Sequence, residues 1–373
     1  MLCSSKHKAW CASACSTQGR ALKVPCADTG FGNRLLNLLT PSVYARVLHR
    51  HVITFWATPG NIDGRRHMGM RFYGSLSELR ALVKLPSELQ FIEDWTAAQR
   101  HGNSSSKVFS NIPLEEADYV PVNSLNRFPA TIPEYTFSTP ESAWEYWKSW
   151  ARAGVWPAPE GCISRADFAI AFRAVFDEMR PKTDLLNPPP RSYLAMHLRE
   201  GDKHRVSSHV AAAVQHAAQK VAQDTGLPWL VISDNDTAAV EVTSALREQG
   251  VPVLAQRAPI PEPAAAVSRS RTAQHHSSLR LVVRDFFALS AAAGILIQTN
   301  PFGGWIDSSF SSTAAAVGDV PLLMPTPQSK GGGMAALQAL TNRSGQRRHR
   351  CFFVDQIASF VREVGACRQK PYV

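Results

Sequence analysis

Between Ser192 and Met324 short apolar runs alternate with longer amphipathic stretches, and this alternation constrains the fold more than any other feature of the chain. The runs Ser192 to Leu198, Trp229 to Ser233, Val251 to Leu254, Ile295 to Thr299 and Pro321 to Met324 are predicted strands. Helical periodicity covers Val210 to Asp224, Thr237 to Gln249 and Ser277 to Ala293. The last of these carries Leu279, Val282, Phe286 and Leu289 on one stripe, with Gly294 placed as its C-terminal cap. Strands joined through helices pair in parallel, so a doubly wound α/β sheet is predicted.

The first half gives a second unit of the same kind. An apolar run from Leu22 to Cys26 leads into a glycine loop, Gly30-Phe31-Gly32-Asn33-Arg34, then a helical stretch and a strand from His51 to Phe55. Pro41 predicts a kink or restart in that helix, with Thr40 available as the new cap. Further on, helices are predicted over Ser75 to Leu85 and near Arg165 to Met179. Trp144, Trp147 and Trp150 stand at helical spacing and predict a buried or docking face. Pro188, Pro189 and Pro190 form a stiff connector. The expected organisation is therefore a flexible segment 1–20, units 21–187 and 188–330, and a basic extension 331–373 with a helix near 355–364 packing across both units. The architecture inferred is two Rossmann-like doubly wound domains facing across a cleft.

Composition narrows the ligand class. A chain of 373 residues is too long for one ordinary core, and 40 Lys and Arg against 30 Asp and Glu give +10, which favours anionic ligands. The cluster Arg343 to Arg350 lacks interleaved aromatics until Phe352 and Phe353, so nucleic acid is not an expected partner. No apolar run is long enough for a membrane span, and no secretory signal is read at the N-terminus. Seven cysteines at these spacings match no zinc pattern, and no metal site is expected.

Four predicted strand ends collect polar or glycine-rich chemistry: Gly30 to Arg34, His197 to Asp202, Ser233 to Thr237, and Asn300 to Ser309. Open α/β sheets bind ligands at such ends. Arg199 is a permanently charged fork of donors that matches phosphate, and His197 shares its strand face, so the pair is read as a diphosphate site. Glycines before a helix let backbone N–H groups approach an anion. This loop lacks the third glycine and acidic ribose anchor of a dinucleotide fingerprint, and it lacks the lysine of a Walker loop. Asp234 offers a carboxylate that pairs with the ring N–H and amino donors of guanine, or else it or Asp236 caps the helix expected from Thr237. Ser308 and Ser309, or Ser311 and Ser312, either cap a helix or donate to a phosphate.

Taken in order, Gly30-Phe31-Gly32-Asn33-Arg34, His197-Leu198-Arg199-Glu200-Gly201-Asp202, Ser233-Asp234, and Asp285 to Ser290 leading to Asn300 and Phe302-Gly303-Gly304-Trp305 resemble the GDP-fucose-dependent fucosyltransferases. That superfamily groups the α1,2-, α1,6- and protein O-fucosyltransferases. The resemblance covers residues 22–55 and 192–324. It implies a GT-B-like fold, an acceptor-side first unit and a nucleotide-sugar-binding second unit, a GDP-fucose donor with no cofactor or metal, and a glycan or glycoprotein acceptor. It implies that Arg199 neutralises the leaving diphosphate, that His197 and Asp234 flank guanine, and that the Gly30 to Arg34 segment meets the pyrophosphate and sugar. Asp202, Phe302, Gly303, Gly304, Ser308 and Ser309 complete the implied donor site; Asp28, Glu200 and Asp202 are the carboxylates near enough in sequence for a general base, or else pair with Arg34, Lys203 or Arg205.

Two departures stand out: Glu200 occupies a position where many members carry a second arginine, and the turn has Gly303 and Gly304 where bulkier residues are common. The expected reaction is inverting transfer of L-fucose from GDP-fucose to a hydroxyl. The alternatives are a non-catalytic GDP-sugar- or glycan-binding protein, for which Glu200 is the best support, and a transferase using another GDP-sugar. Secretory relatives carry an N-terminal anchor and none is read here, which leaves the Golgi, the cytoplasm or another organelle open.

Overall fold

The computed structural model describes residues 21–23, 31–54, 56, 75–91, 117–119, 139–152, 158–182, 192–198, 208–233, 235–254, 279–298, 309–324, 351–353 and 356–369. The chain divides into two compact units, one formed by 1–183 with 264–282 and the other by 184–263 with 283–373.

In the first unit, strands β1 (Ala21–Lys23), β2 (Val52–Thr54), β4 (Leu89–Phe91) and β5 (Ala117–Tyr119) form a sheet in the order β4-β2-β1-β5, all parallel. A short antiparallel pair joins β3 (Val83–Lys84) to β6 (Arg180–Pro181). Helix α1 (Phe31–Val47) follows β1, α2 (Leu76–Leu82) precedes β3, and α3 (Pro140–Arg152), α4 (Pro159–Cys162) and α5 (Arg165–Glu178) complete the unit. Ser75 and Ser164 cap α2 and α5 by accepting from the backbone of Glu78 and Asp167, each at 3.1 Å.

Helix α1 is unbroken through Pro41, against the restart expected from the sequence. An interior proline costs about 3 kcal/mol. Burial of Leu35, Leu38, Leu39, Val43 and Tyr44 offsets that cost, because each large apolar side chain removed from water contributes about 1.5 to 3 kcal/mol. Thr40 is not a cap; its hydroxyl is buried and finds no hydrogen-bond partner among the described residues.

Helix α1 packs on α5, and α5 on α3. At the centre Tyr44 stacks on Phe168 at 6.1 Å and meets Trp147 edge-on at 5.6 Å, while Trp144 lies 5.3 Å from Phe168. Trp144 and Trp147 are thus core, as their spacing suggested. The half-buried Arg46 forms a bidentate pair with Glu88 and a further bond to Glu178, tying α1 to the approach of β4 and the end of α5.

The second unit holds a five-stranded parallel sheet in the order β11-β10-β9-β7-β8, made of β7 (Leu194–Leu198), β8 (Trp229–Ser233), β9 (Ile295–Gln298), β10 (Leu322–Met324) and β11 (Cys351–Phe353). Val253 adds a single parallel bridge to Trp229 in place of the strand expected over Val251 to Leu254. Counting Val253 as the third segment of the unit, the order is that of the doubly wound dinucleotide-type sheet, with its reversal point between β7 and β9. The helices are α6 (Ser208–Thr225), α7 (Asp236–Glu248), α8 (Leu279–Ser290), α9 (Ser309–Gly318) and α10 (Ile357–Arg368).

Side-chain alternation along β7 sorts the two faces. Leu194, Met196 and Leu198 pack with Val214, Ala217 and Val221 of α6 and with Phe360 and Val364 of α10. Tyr193 points the other way and donates to the carbonyl of Ala288 in α8 at 2.7 Å. Both faces are covered, which is why β7 is buried along its whole length.

Three glycines here have reasons the sequence did not supply. Gly294 is not the cap of α8, which ends at Ser290; a β-carbon at Gly294 would lie 2.7 Å from Cζ of Phe360 and 2.8 Å from Cγ2 of Val364. The left-handed glycines are Gly226 and Gly250, at the ends of α6 and α7, with φ of 67° and 73°. Strand β11, like β3 to β6 of the first unit, was not read from the sequence, and α10 packs on α6, β10 and β11. No helix among the described residues is long and apolar enough to cross a membrane.

Candidate functional site

The carboxyl end of the second sheet is built by register. Leu198 of β7 is paired with Ser233 of β8 on one side and with Gln298 of β9 on the other. These three residues are the last of their strands, and the motifs resume just beyond each of them in the sequence: Arg199, Asp234, and Asn300 to Gly304. The site motifs therefore continue from three adjacent strand ends at the carboxyl end of the sheet, beside its reversal point, where open α/β sheets bind ligands. Asp28, Gly30, Arg199, Glu200, Asp202, Asp234, Phe302, Gly303, Gly304 and Ser308 lie outside the described residues.

His197 is the penultimate residue of β7 and only 5% exposed. Its Nδ1 is hydrogen-bonded to the hydroxyl of Ser311, which is wholly buried in the first turn of α9. Phe310 lies beside the imidazole at 5.4 Å with a 39° tilt, and is itself held edge-on to Phe286 at 5.6 Å. Alternation along the strand puts His197 on the same face as Tyr193, toward α8 and α9. Neither Ser311 nor Phe310 was assigned a place beside His197 from the sequence. The run of serines was visible, but only the fold brings Ser311 to His197 from 114 positions away.

At the neighbouring strand end the cap of α7 is Asn235, whose side chain accepts from Thr237 N at 3.1 Å and Ala238 N at 3.4 Å. Neither Asp234 nor Asp236 is needed for it: Asp236 is the first helical residue, and an asparagine satisfies the same orphan N–H groups. The expectation that Asp236 caps this helix is thereby corrected, while Asp234 lies outside the described residues. Ser309 is the first residue of α9, and Ser312 is buried beside Ser311.

The first unit contributes its own strand-to-helix junction. Phe31, Gly32, Asn33 and Arg34 form the opening turn of α1 and are not a loop, a correction to the glycine loop expected there. Arg34 is 1% exposed, with its guanidinium 5.2 Å over the ring of Trp56, just past β2. Phe31 meets the same indole edge-on at 6.3 Å. No acidic residue stands in the first turn of α1, so its positive dipole end and Arg34 act with the same sign toward an anion. Trp56 was not singled out in the sequence; a tryptophan next to a strand carries no local mark of the arginine it will meet.

Among the described residues no group of three or more His, Cys, Asp or Glu side chains could hold a metal ion. The one titration that bears on the core is that of Tyr44, whose hydroxyl is held well above its ordinary pKa by burial and, secondarily, by the nearby Tyr146.

No family model and no curated protein matches the chain. Among solved structures, NodZ alpha-1,6-fucosyltransferase from Bradyrhizobium, soaked with GDP-fucose, aligns at 12% identity over 82% of this chain and 94% of its own, with a TM-score of 0.41. A mutant of Arabidopsis thaliana FUT1 in complex with GDP aligns at 13% identity over 86% and 74%, TM-score 0.42. POFUT1 in complex with GDP aligns at 10% identity over 90% and 98%, TM-score 0.39.

Proposed function

We propose that this protein is an inverting glycosyltransferase of the GT-B-like class that moves L-fucose from GDP-fucose to a hydroxyl of a glycan or glycoprotein. The observation that supports the reading is the pairing of Leu198 with both Ser233 and Gln298, which sets side by side the three strand ends from which the donor-type motifs continue in sequence. Asn235 supports it by supplying the helix cap itself, and in this reading the carboxylate of Asp234 pairs with the N–H and amino donors of guanine. Arg34, buried at the dipole end of α1, supports an anionic ligand on the first unit as well.

In this reading an acceptor hydroxyl attacks the anomeric carbon of fucose as the bond from that carbon to the β-phosphate oxygen breaks. The bonding pair leaves on GDP, and the hydroxyl proton passes to a carboxylate, with Asp28 and Glu200 as the candidates. Arg199 acts electrostatically on the charge that grows on the leaving diphosphate, an effect worth about 3 kcal/mol or more in a dry site. His197 donates to the nucleotide. The test is release of GDP from GDP-fucose, with and without glycan acceptors and beside GDP-mannose as a competing donor. Acceptor-dependent release from GDP-fucose supports the reading; release from neither donor with any acceptor contradicts it.

A further inference from the structure

We infer that Ser311 is a positioning residue that fixes the ring plane and the proton of His197, so that the imidazole presents a hydrogen-bond donor at Nε2 to the nucleotide. The inference rests on the proposed GDP-sugar reading and adds a residue to it. The imidazole is constrained twice from α9: Ser311 holds Nδ1, and the ring of Phe310 closes one side. Phe310 is itself braced by Phe286 of α8, so the constraint comes from packed helices. His197 is 5% and Ser311 0% exposed, which places their bond where water competes least.

The two nitrogens of an imidazole are not independent. A neutral ring carries one proton, and the partner of one nitrogen decides what the other can offer. A serine hydroxyl that donates to Nδ1 leaves the proton on Nε2. The oxygens of a diphosphate and the O6 and N7 of guanine are all acceptors, so this is the form of His197 such a ligand requires. A hydroxyl can also accept from Nδ1–H, and the role inferred for Ser311 is specifically that of donor. Without it Nδ1 loses the donor that favours the Nε2 proton, and part of the population offers the ligand a lone pair where it needs a donor.

A double-mutant cycle on the full-length protein tests this, with GDP affinity measured by calorimetry and folding checked by thermal melting. Ser311→Ala is expected to weaken GDP binding about threefold to tenfold, the size of one hydrogen bond. In the background of His197→Ala the same change is expected to have no further effect. Ser311→Cys, which keeps the volume with a weaker donor, should fall between wild type and Ser311→Ala. An equal loss in both backgrounds, or none in either, overturns the inference while leaving the donor reading standing; a wild-type protein that does not bind GDP overturns the reading itself. Nitrogen-15 spectra, with His197→Ala assigning the signal, should show the wild-type proton on Nε2; an Nδ1 proton there overturns the inference independently of affinity.

Discussion

The guanidinium of Arg34 lies over Trp56, its central carbon 5.2 Å from the ring centroid, and both residues are at least 98% buried. A cation over the face of an indole is attracted by the ring and packs against it. Trp56→Leu should therefore lower stability by about 3 kcal/mol through lost packing and the lost cation–π contact, whereas Trp56→Phe should lose clearly less. Urea unfolding of the two variants checks the difference; equal losses would show that the aromatic face contributes nothing beyond volume.

Gly318 ends α9 directly against the backbone of α8. A β-carbon there would lie 1.8 Å from the carbonyl oxygen of Ser290, which is backbone and has nowhere to turn. Gly318→Ala should destabilise the second unit by about 3 kcal/mol or more, at the upper end of overpacking effects. Gly365→Ala in α10 is the control: nothing lies within 4 Å, and alanine in a helix should add about 0.5 to 1 kcal/mol. Thermal melting distinguishes the two, and a neutral Gly318→Ala would contradict the packing described for α8 and α9.

Alkaline stability follows from Tyr44. Its pKa is raised in the folded state by burial, so the unfolded chain loses the phenolic proton first as pH climbs past about 10. The contribution is thus complete below that pH and is lost progressively above it, up to the folded pKa. Tyr44→Phe should flatten this part of the stability curve, at a cost near neutrality of about 1 kcal/mol for the bond from the hydroxyl to the carbonyl of Ala143. Melting temperatures between pH 8 and 11 test it; an unchanged slope would mean that Tyr44 is not the group responsible.

Arg199→Ala should lower turnover with GDP-fucose by about a hundredfold to a thousandfold, as loss of a preorganised charge at a leaving group does, with little change in melting temperature. Arg199→Lys should recover only part, because an ammonium lacks the two-pronged match to phosphate. A variant with wild-type turnover would remove Arg199 from the chemistry.

The parallel sheet of the second unit was legible because strand and helix periods alternate cleanly from β7 to β10, and most boundaries fall within two residues of expectation. Strand β11 was not, since Cys351 to Phe353 is a three-residue run behind a basic stretch and its burial depends on β10 and α10. Pro41 and Gly294 were misjudged for one reason: local rules for proline and glycine gave way to packing, against α5 in one case and against Phe360 and Val364 in the other. Of the site, His197 was readable from its place at the end of an apolar strand, whereas the contact of Ser311 with it and the place of Trp56 against Arg34 were not. Their roles come from contacts between positions 114 and 22 residues apart, and no spacing rule reaches that far.

The central claim is that the edge shared by β7, β8 and β9 recognises a guanine diphosphate. Calorimetric titration of the wild-type protein with GDP, ADP and UDP under one set of conditions tests it most directly. Binding of GDP at least tenfold tighter than either of the others is expected, and Asp234→Asn should erase most of that preference while leaving diphosphate binding in place. Equal affinity for the three nucleotides, or a preference for ADP or UDP, would contradict it.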